Sequence, residues 1–129
     1  MPHRFSLRVY YEDTDLAGIV YYANYLKFIE RGRTEFVRER GIDQAALKAS
    51  DGIVFAVRHV SADYLRPARF GDELVVETRL EALGRARIEM RQDVLRGEEL
   101  LFSAQVTLVA LSDEGRAARL PANIRRLLE

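Results

Sequence analysis

Cysteine is absent from the 129 residues, and its absence excludes disulfides, thiolate nucleophiles and Cys-based zinc sites. Histidine is almost as scarce. Only His3 and His59 occur, with no paired metal-ligand spacing, so neither a zinc centre nor a Ser-His triad is expected. No apolar run reaches the length of about 18 residues that a spanning helix needs, and the first segment alternates apolar with charged residues instead of carrying the apolar stretch of an export signal. With no cysteine, this reads as a soluble, cytoplasmic chain. Neither charge sign is in excess, since 20 basic residues balance 20 acidic ones. No global field is therefore available to hold nucleic acid or an anionic membrane by counterion release. Lysine is also rare: Lys27 and Lys48 stand against 18 arginines. Forked guanidinium groups suit phosphate, although genome base composition produces the same bias.

What is present fits one domain over residues 1–129, with one core and no linker, internal repeat or low-complexity segment. Residues 4–11 alternate, with Phe5, Leu7, Val9 and Tyr11 on one face, as in a half-buried strand. The Asp13–Gly18 stretch cannot extend that strand, because Asp and Gly favour turns. From Asn24 the period becomes helical, and Tyr25, Phe28, Ile29, Gly32, Phe36 and Val37 fall on one stripe. Asn24 is the expected N-cap and Gly41 the expected C-terminal stop. Gly32 weakens the helix by about 1 kcal/mol relative to Ala, which a close backbone approach to a sheet would explain. Asp43–Lys48 allows a further short helix ending near Asp51-Gly52.

Beyond Gly52 the period is two. Strands are expected over 53–65, 73–83, 86–96 and about 99–111, with turns at Gly71-Asp72, Gly84-Arg85 and Gly97-Glu98. Links this short exclude parallel crossovers, so the sheet is largely antiparallel. Pro121 opens a last short helix whose Ile124, Leu127 and Leu128 dock on the body. One long helix and about five strands make an α+β domain, most economically with the helix on the concave face of a curved sheet.

The chemistry concentrates in Tyr11-Glu12-Asp13-Thr14-Asp15-Leu16-Ala17-Gly18-Ile19-Val20-Tyr21-Tyr22-Ala23-Asn24-Tyr25, a turn rich in carboxylates set just ahead of a helix N-terminus. Such a terminus carries unpaired N–H groups and roughly half a positive charge, which suits an oxyanion. A carboxylate beside an oxyanion donor is what hydrolysis of an activated acyl group requires. The run Asp13-Thr14-Asp15-x-x-Gly18-Ile19-Val20-Tyr21-Tyr22-x-Asn24-Tyr25 also resembles the signature of the 4-hydroxybenzoyl-CoA thioesterase family of hot-dog-fold proteins, which includes Tol-Pal-associated acyl-CoA thioesterases. Further matches are Tyr64-Leu65-Arg66-Pro67-Ala68-Arg69 with Gly71-Asp72, Gly84-Arg85-Ala86 and Leu120-Pro121, so the likeness covers nearly the whole chain.

The resemblance implies a hot-dog fold, in which the curved sheet wraps the long helix, and an acyl-CoA thioesterase acting without metal or redox cofactor. It makes Asp15 the catalytic carboxylate, as nucleophile or as general base for water, and gives the Tyr22 backbone N–H the oxyanion. Gly18 would let the backbone approach the acyl group, with Val20 and Tyr21 beside it. Arg66, Arg85 and Arg87 would meet the CoA phosphates, although Ala86 interrupts the family's basic cluster. The resemblance further implies a homodimer joined sheet edge to sheet edge, with sites along its interface, of the kind that assembles to a homotetramer; acyl carrier protein is a possible partner.

Glu30 and Glu35 are the rival carboxylates on the long helix, where a Glu is ordinarily a solvated or ion-paired side chain. A non-catalytic protein of the same fold that binds acyl-CoA or acyl carrier protein is the alternative function. It has no need of Asp15. A dehydratase of this fold pairs a His with an acid, and neither His lies in the signature.

Overall fold

The computed structural model describes residues 1–129 in full. Its elements are β1 (His3–Arg8), α1 (Asn24–Glu39), α2 (Gln44–Asp51), β2 (Val54–Tyr64), β3 (Glu73–Leu83), β4 (Arg87–Arg96), β5 (Glu99–Leu111) and α3 (Ala122–Leu128). The five strands form one sheet in the order β1-β3-β4-β5-β2, and every pairing is antiparallel. This is the expected α+β architecture.

The helical stripe is buried as read: Tyr25, Phe28, Ile29, Gly32, Phe36 and Val37 all lie inside. Each fully buried large apolar side chain there contributes about 1.5–3 kcal/mol. The stripe packs across β1, β3 and β4. Gly32 marks the closest approach, since a Cβ at that position would stand 2.6 Å from Val76 Cγ1. Two polar side chains, Thr78 and Gln92, are buried in this contact. Gln92 on β4 donates to the Ile29 carbonyl at 2.8 Å and to Thr78 Oγ1 at 2.9 Å, and its own oxygen accepts from Arg33 at 2.9 Å.

The sheet extends beyond the helix. A register shift between Val57 and His59 changes the parity of β2, so Phe55, Val57, Val60, Ala62 and Tyr64 lie opposite the inward residues Ala110, Leu108, Val106, Ala104 and Phe102 of β5. All five β5 residues are buried, yet Val57 is 47 % exposed, Val60 36 % and Tyr64 47 %. The helix-side face of the edge strand β2 is therefore an uncovered apolar row.

Three local expectations are corrected. The first strand stops at Arg8 and residues Tyr11–Asp13 form a 3-10 turn. Asp13 Oδ2 accepts the Tyr10 N–H at 2.8 Å and bends the chain, leaving Tyr11 83 % exposed instead of on the core face. Asn24 is not the N-cap: Ala23 holds that position, and no side chain caps the helix. In α3, Ile124 and Leu128 dock one turn apart while Leu127 falls outside their line and is 41 % exposed.

Candidate active site

The carboxylate turn is braced at both ends. Asp15 N–H donates to the Ile19 carbonyl and Gly18 N–H to the Asp15 carbonyl, both at 2.9 Å, so residues 15–19 close a tight loop. Gly18 sits at φ 80°, a conformation that glycine adopts without a Cβ penalty. The Asp15 carboxylate accepts the Ala17 N–H on Oδ1 at 3.0 Å and is otherwise exposed. Beyond the loop, Val20 N–H donates to Ala68 O at 2.8 Å. Before it, Val9 N–H donates to Asp72 O and Gly71 N–H to Val9 O, both at 2.9 Å. The 65–72 segment thus holds the turn from either side.

The start of α1 is tied to the same turn. Asp13 O accepts the Tyr21 N–H and the Asn24 side-chain amide, each at 2.9 Å. The N–H groups of Tyr22 and Ala23 have no acceptor in the chain. They are the unpaired donors that a helix start presents.

Aromatic rings wall this end. Tyr25 stacks on Phe102 with centroids 5.0 Å apart and planes 8° apart, and its hydroxyl accepts the Ala68 N–H at 3.1 Å. Tyr64 meets Phe102 at 5.0 Å, Tyr25 at 5.6 Å and Tyr22 at 6.0 Å, and donates its hydroxyl to Tyr22 O at 3.1 Å. Burial pushes both the Tyr25 and Tyr64 phenols above their ordinary range. Each is therefore protonated near neutrality.

The 65–72 segment is fixed in turn by charge. Asp72 Oδ2 accepts the Arg69 N–H at 2.8 Å and Arg96 Nη1 at 2.7 Å, while Arg96 Nη2 donates to Glu99 Oε1 at 2.7 Å. Desolvation pushes the Asp72 carboxyl up, but the Arg69 amide and the Arg96 guanidinium outweigh it and hold the group below the usual carboxylate range.

The sequence-predicted residues fall into three places. Val20, Tyr22 and Arg66 line one depression of ≈ 300 Å³ together with Ile19, Tyr25 and Tyr64. Asp15 and Gly18 open to a neighbouring, more open depression beside Tyr11, Leu16 and Phe70. The two depressions adjoin where the chain passes from Gly18 to Ile19, with Asp15 lining one and Tyr22 the other. Tyr21 packs on Tyr22, centroids 5.0 Å apart. Arg66 pairs with Glu99 at 3.3 Å. Arg85 and Arg87 make no ion pair and stand at the other end of the sheet. Arg87 is opposite Val109, whereas Tyr64 is opposite Phe102 seven positions earlier, a separation of about 23 Å along β5.

Sequence reasoning does not assign these contacts to Tyr64, Tyr25, Asn24 or the Asp72–Arg96 pair, although Asn24, Tyr25, Tyr64 and Asp72 all lie in the matched motifs. The Tyr64–Tyr22 and Asp72–Arg96 bonds span 42 and 24 residues, beyond the reach of periodicity.

A strongly curved antiparallel sheet around one helix, with a carboxylate turn at the helix start, is an arrangement seen in known proteins. The model of the Thioesterase superfamily matches residues 17–103. Acyl-CoA thioester hydrolase YbgC of Escherichia coli O6:H1 is 37 % identical over 110 residues, 85 % of this chain and 81 % of that protein. Acyl-CoA thioesterase YbgC of Haemophilus influenzae is 40 % identical over 112 residues, 87 % of this chain and 82 % of that protein. Among solved structures, a probable thioesterase from Bartonella henselae superposes with TM-score 0.90 at 41 % identity, covering 94 % of this chain and all, 100 %, of that one. A 4-hydroxybenzoyl CoA thioesterase mutant complexed with 4-hydroxybenzoyl CoA reaches TM-score 0.92 at 23 % identity with 99 % of each chain covered, a likeness of fold. Family model, relatives and architecture agree, and the chain belongs to the thioesterase superfamily of hot-dog-fold enzymes.

Proposed function

We propose that this enzyme hydrolyses acyl-CoA thioesters, adding water across the C–S bond to give a carboxylic acid and free CoA. The relatives named as acyl-CoA thioester hydrolases, matched over most of their length, support the substrate class. Asp15 acts on the thioester carbonyl. As nucleophile it forms a mixed anhydride, the CoA thiolate leaves, and water cleaves the anhydride to restore the carboxylate; as general base it takes a proton from the attacking water. In either course the Tyr22 N–H receives the developing oxyanion, aided by the positive end of α1. The chemistry so read calls on no metal or redox cofactor.

The observation that carries this reading is the unpaired Tyr22 N–H at the start of α1, with the Asp15 turn bound to that start through the Asp13 carbonyl. Asp15 and Tyr22 line adjoining depressions that are open to solvent in one chain, and a second copy along the β2 edge would wall them in. The uncovered row of Val57, Val60 and Tyr64 along the unpaired edge of β2 supports edge-to-edge pairing. An antiparallel two-fold pairing of two β2 strands would bring the Val54 end of one beside the Tyr64 end of the other. The Arg85 and Arg87 end of the second copy would then lie on the side of Tyr22 and Arg66, within reach of an extended CoA. Gly18, Val20 and Tyr21 border the acyl group in this reading. Sedimentation reading the mass of at least two chains checks the assembly, and pairing of such dimers would give the tetramer.

Asp15→Asn tests the function. Asparagine keeps an acceptor for the Ala17 N–H and removes only the charge. Turnover of aliphatic and aromatic acyl-CoA panels should fall by about 10²–10⁴-fold with the fold intact. Near wild-type hydrolysis by this variant would refute the assignment. A wild-type chain that binds CoA or acyl carrier protein saturably and releases no thiol from any thioester would instead be a binding protein.

A further inference from the structure

The Tyr64 hydroxyl donates to the Tyr22 carbonyl oxygen at 3.1 Å. That oxygen belongs to the peptide unit whose other end is the Ala23 N–H, and the Ala23 N–H, like that of Tyr22, has no acceptor in the chain. A peptide unit is planar and conjugated. A hydrogen bond accepted at its oxygen therefore fixes the direction of its N–H and draws electron density from it, strengthening it as a donor. Water at a helix end can make the same bond, but only from a mobile position. Tyr64 makes it from a ring held by Tyr22, Tyr25 and Phe102 at 5.0–6.0 Å. The ordering of that donor is settled when the chain folds, before substrate arrives.

We infer that Tyr64 is a positioning residue for the hydrolysis: through the Tyr22 carbonyl it orients and polarises the Ala23 N–H, which serves with the Tyr22 N–H as the second donor to the oxyanion. This rests on the reading in which the Tyr22 amide faces the thioester carbonyl. The bond joins the edge strand β2 to the start of α1 across 42 residues of sequence, so the order of the oxyanion donors depends on β2 being in place. A tetrahedral intermediate bears its charge on one oxygen with more than one lone pair. Two adjacent amides can bond it together, where one amide leaves a lone pair to solvent. A phenol is protonated throughout the neutral range, so the Tyr64 hydroxyl remains a donor there.

Tyr64→Phe removes the hydroxyl and keeps the ring. With a short acyl-CoA the expected result is a fall in kcat of about five- to tenfold, KM within about twofold of wild type and an almost unchanged melting temperature. Ala23→Pro removes the N–H at a residue whose φ of -69° suits proline and whose place at the helix start tolerates it. In that background Tyr64→Phe should change kcat by less than about twofold, because the group it acts through is gone.

An unchanged kcat in Tyr64→Phe, a loss confined to KM, or fully additive losses in the double variant would each overturn the inference. The second of these would make Tyr64 merely a wall of the acyl pocket. If Ala23→Pro loses its helical circular dichroism, the kcat and KM split of Tyr64→Phe decides alone. Asp15→Asn in the same assay separates this inference from the reading beneath it. Retained turnover in Asp15→Asn defeats the site assignment, whereas its loss beside a wild-type kcat in Tyr64→Phe defeats only the role given to Tyr64.

Discussion

The side-chain amide of Asn24 donates to the backbone carbonyl of Asp13 at 2.9 Å, so the first residue of α1 grips the turn that carries Asp15. An asparagine at a helix start ordinarily caps its own helix. Here it faces outward from the helix and fixes the distance between a carboxylate loop and a pair of unpaired amides.

Asn24→Ala removes this grip and leaves the Tyr21 N–H as the remaining bond to Asp13 O. The expected loss of stability is about 1 kcal/mol, as for one part-buried hydrogen bond. Turnover should fall further than stability suggests, by about tenfold or more, because small displacements of reacting groups are costly. Urea denaturation and kcat, measured on the same preparation, check it. A drop in stability with kcat untouched would make Asn24 a structural tether only.

Arg96→Met tests the charge cluster under the 65–72 segment. The Asp72 carboxyl lies below its ordinary range in the folded chain. The unfolded chain therefore takes up the proton first as pH falls. The stabilisation is fully present above the unfolded value of about 3.9, and is lost as pH drops through the lower folded value. Glu99 is lowered too, chiefly by its hydrogen bond from Arg96, and acts with the same sign. Removing the guanidinium should cost about 1 kcal/mol at neutral pH and flatten the acid limb of the stability curve. Urea midpoints at pH 7 and at pH 3 measure it. An equal shift at both values would assign the effect to packing of the Arg96 stem instead.

Gly32→Ala sets two effects in opposition. Alanine gains about 1 kcal/mol of helix propensity over glycine. Its Cβ would stand 2.6 Å from Val76 Cγ1, a fully buried and stiff β-branched side chain with 0 % exposure. Overpacking of this kind costs about 1–3 kcal/mol, so the net change should be a loss. A lowered melting temperature confirms the close contact. A raised one would show that α1 lifts from the sheet at no cost.

Periodicity alone determined the elements of this protein. The apolar stripe from Tyr25 to Val37 is buried as read, and β3 and β4 alternate with period two, because a local repeat dictates which face of a helix or strand is apolar. Gly41, Gly71 and Gly97 take positive φ where turns were expected, since their conformations depend on their immediate neighbours. The signature from Asp13 to Tyr25 marked the place where chemistry gathers. What covers a face was left to tertiary structure. A register shift brings Val57, Val60 and Tyr64 onto the helix side of β2, yet the body of α1 lies over other strands and leaves them only partly covered. The distance of Arg87 from Tyr64 and the bond from Tyr64 to the helix start were likewise decided by packing. Each depends on how segments tens of residues apart are brought together, and a local repeat carries no information about that distance.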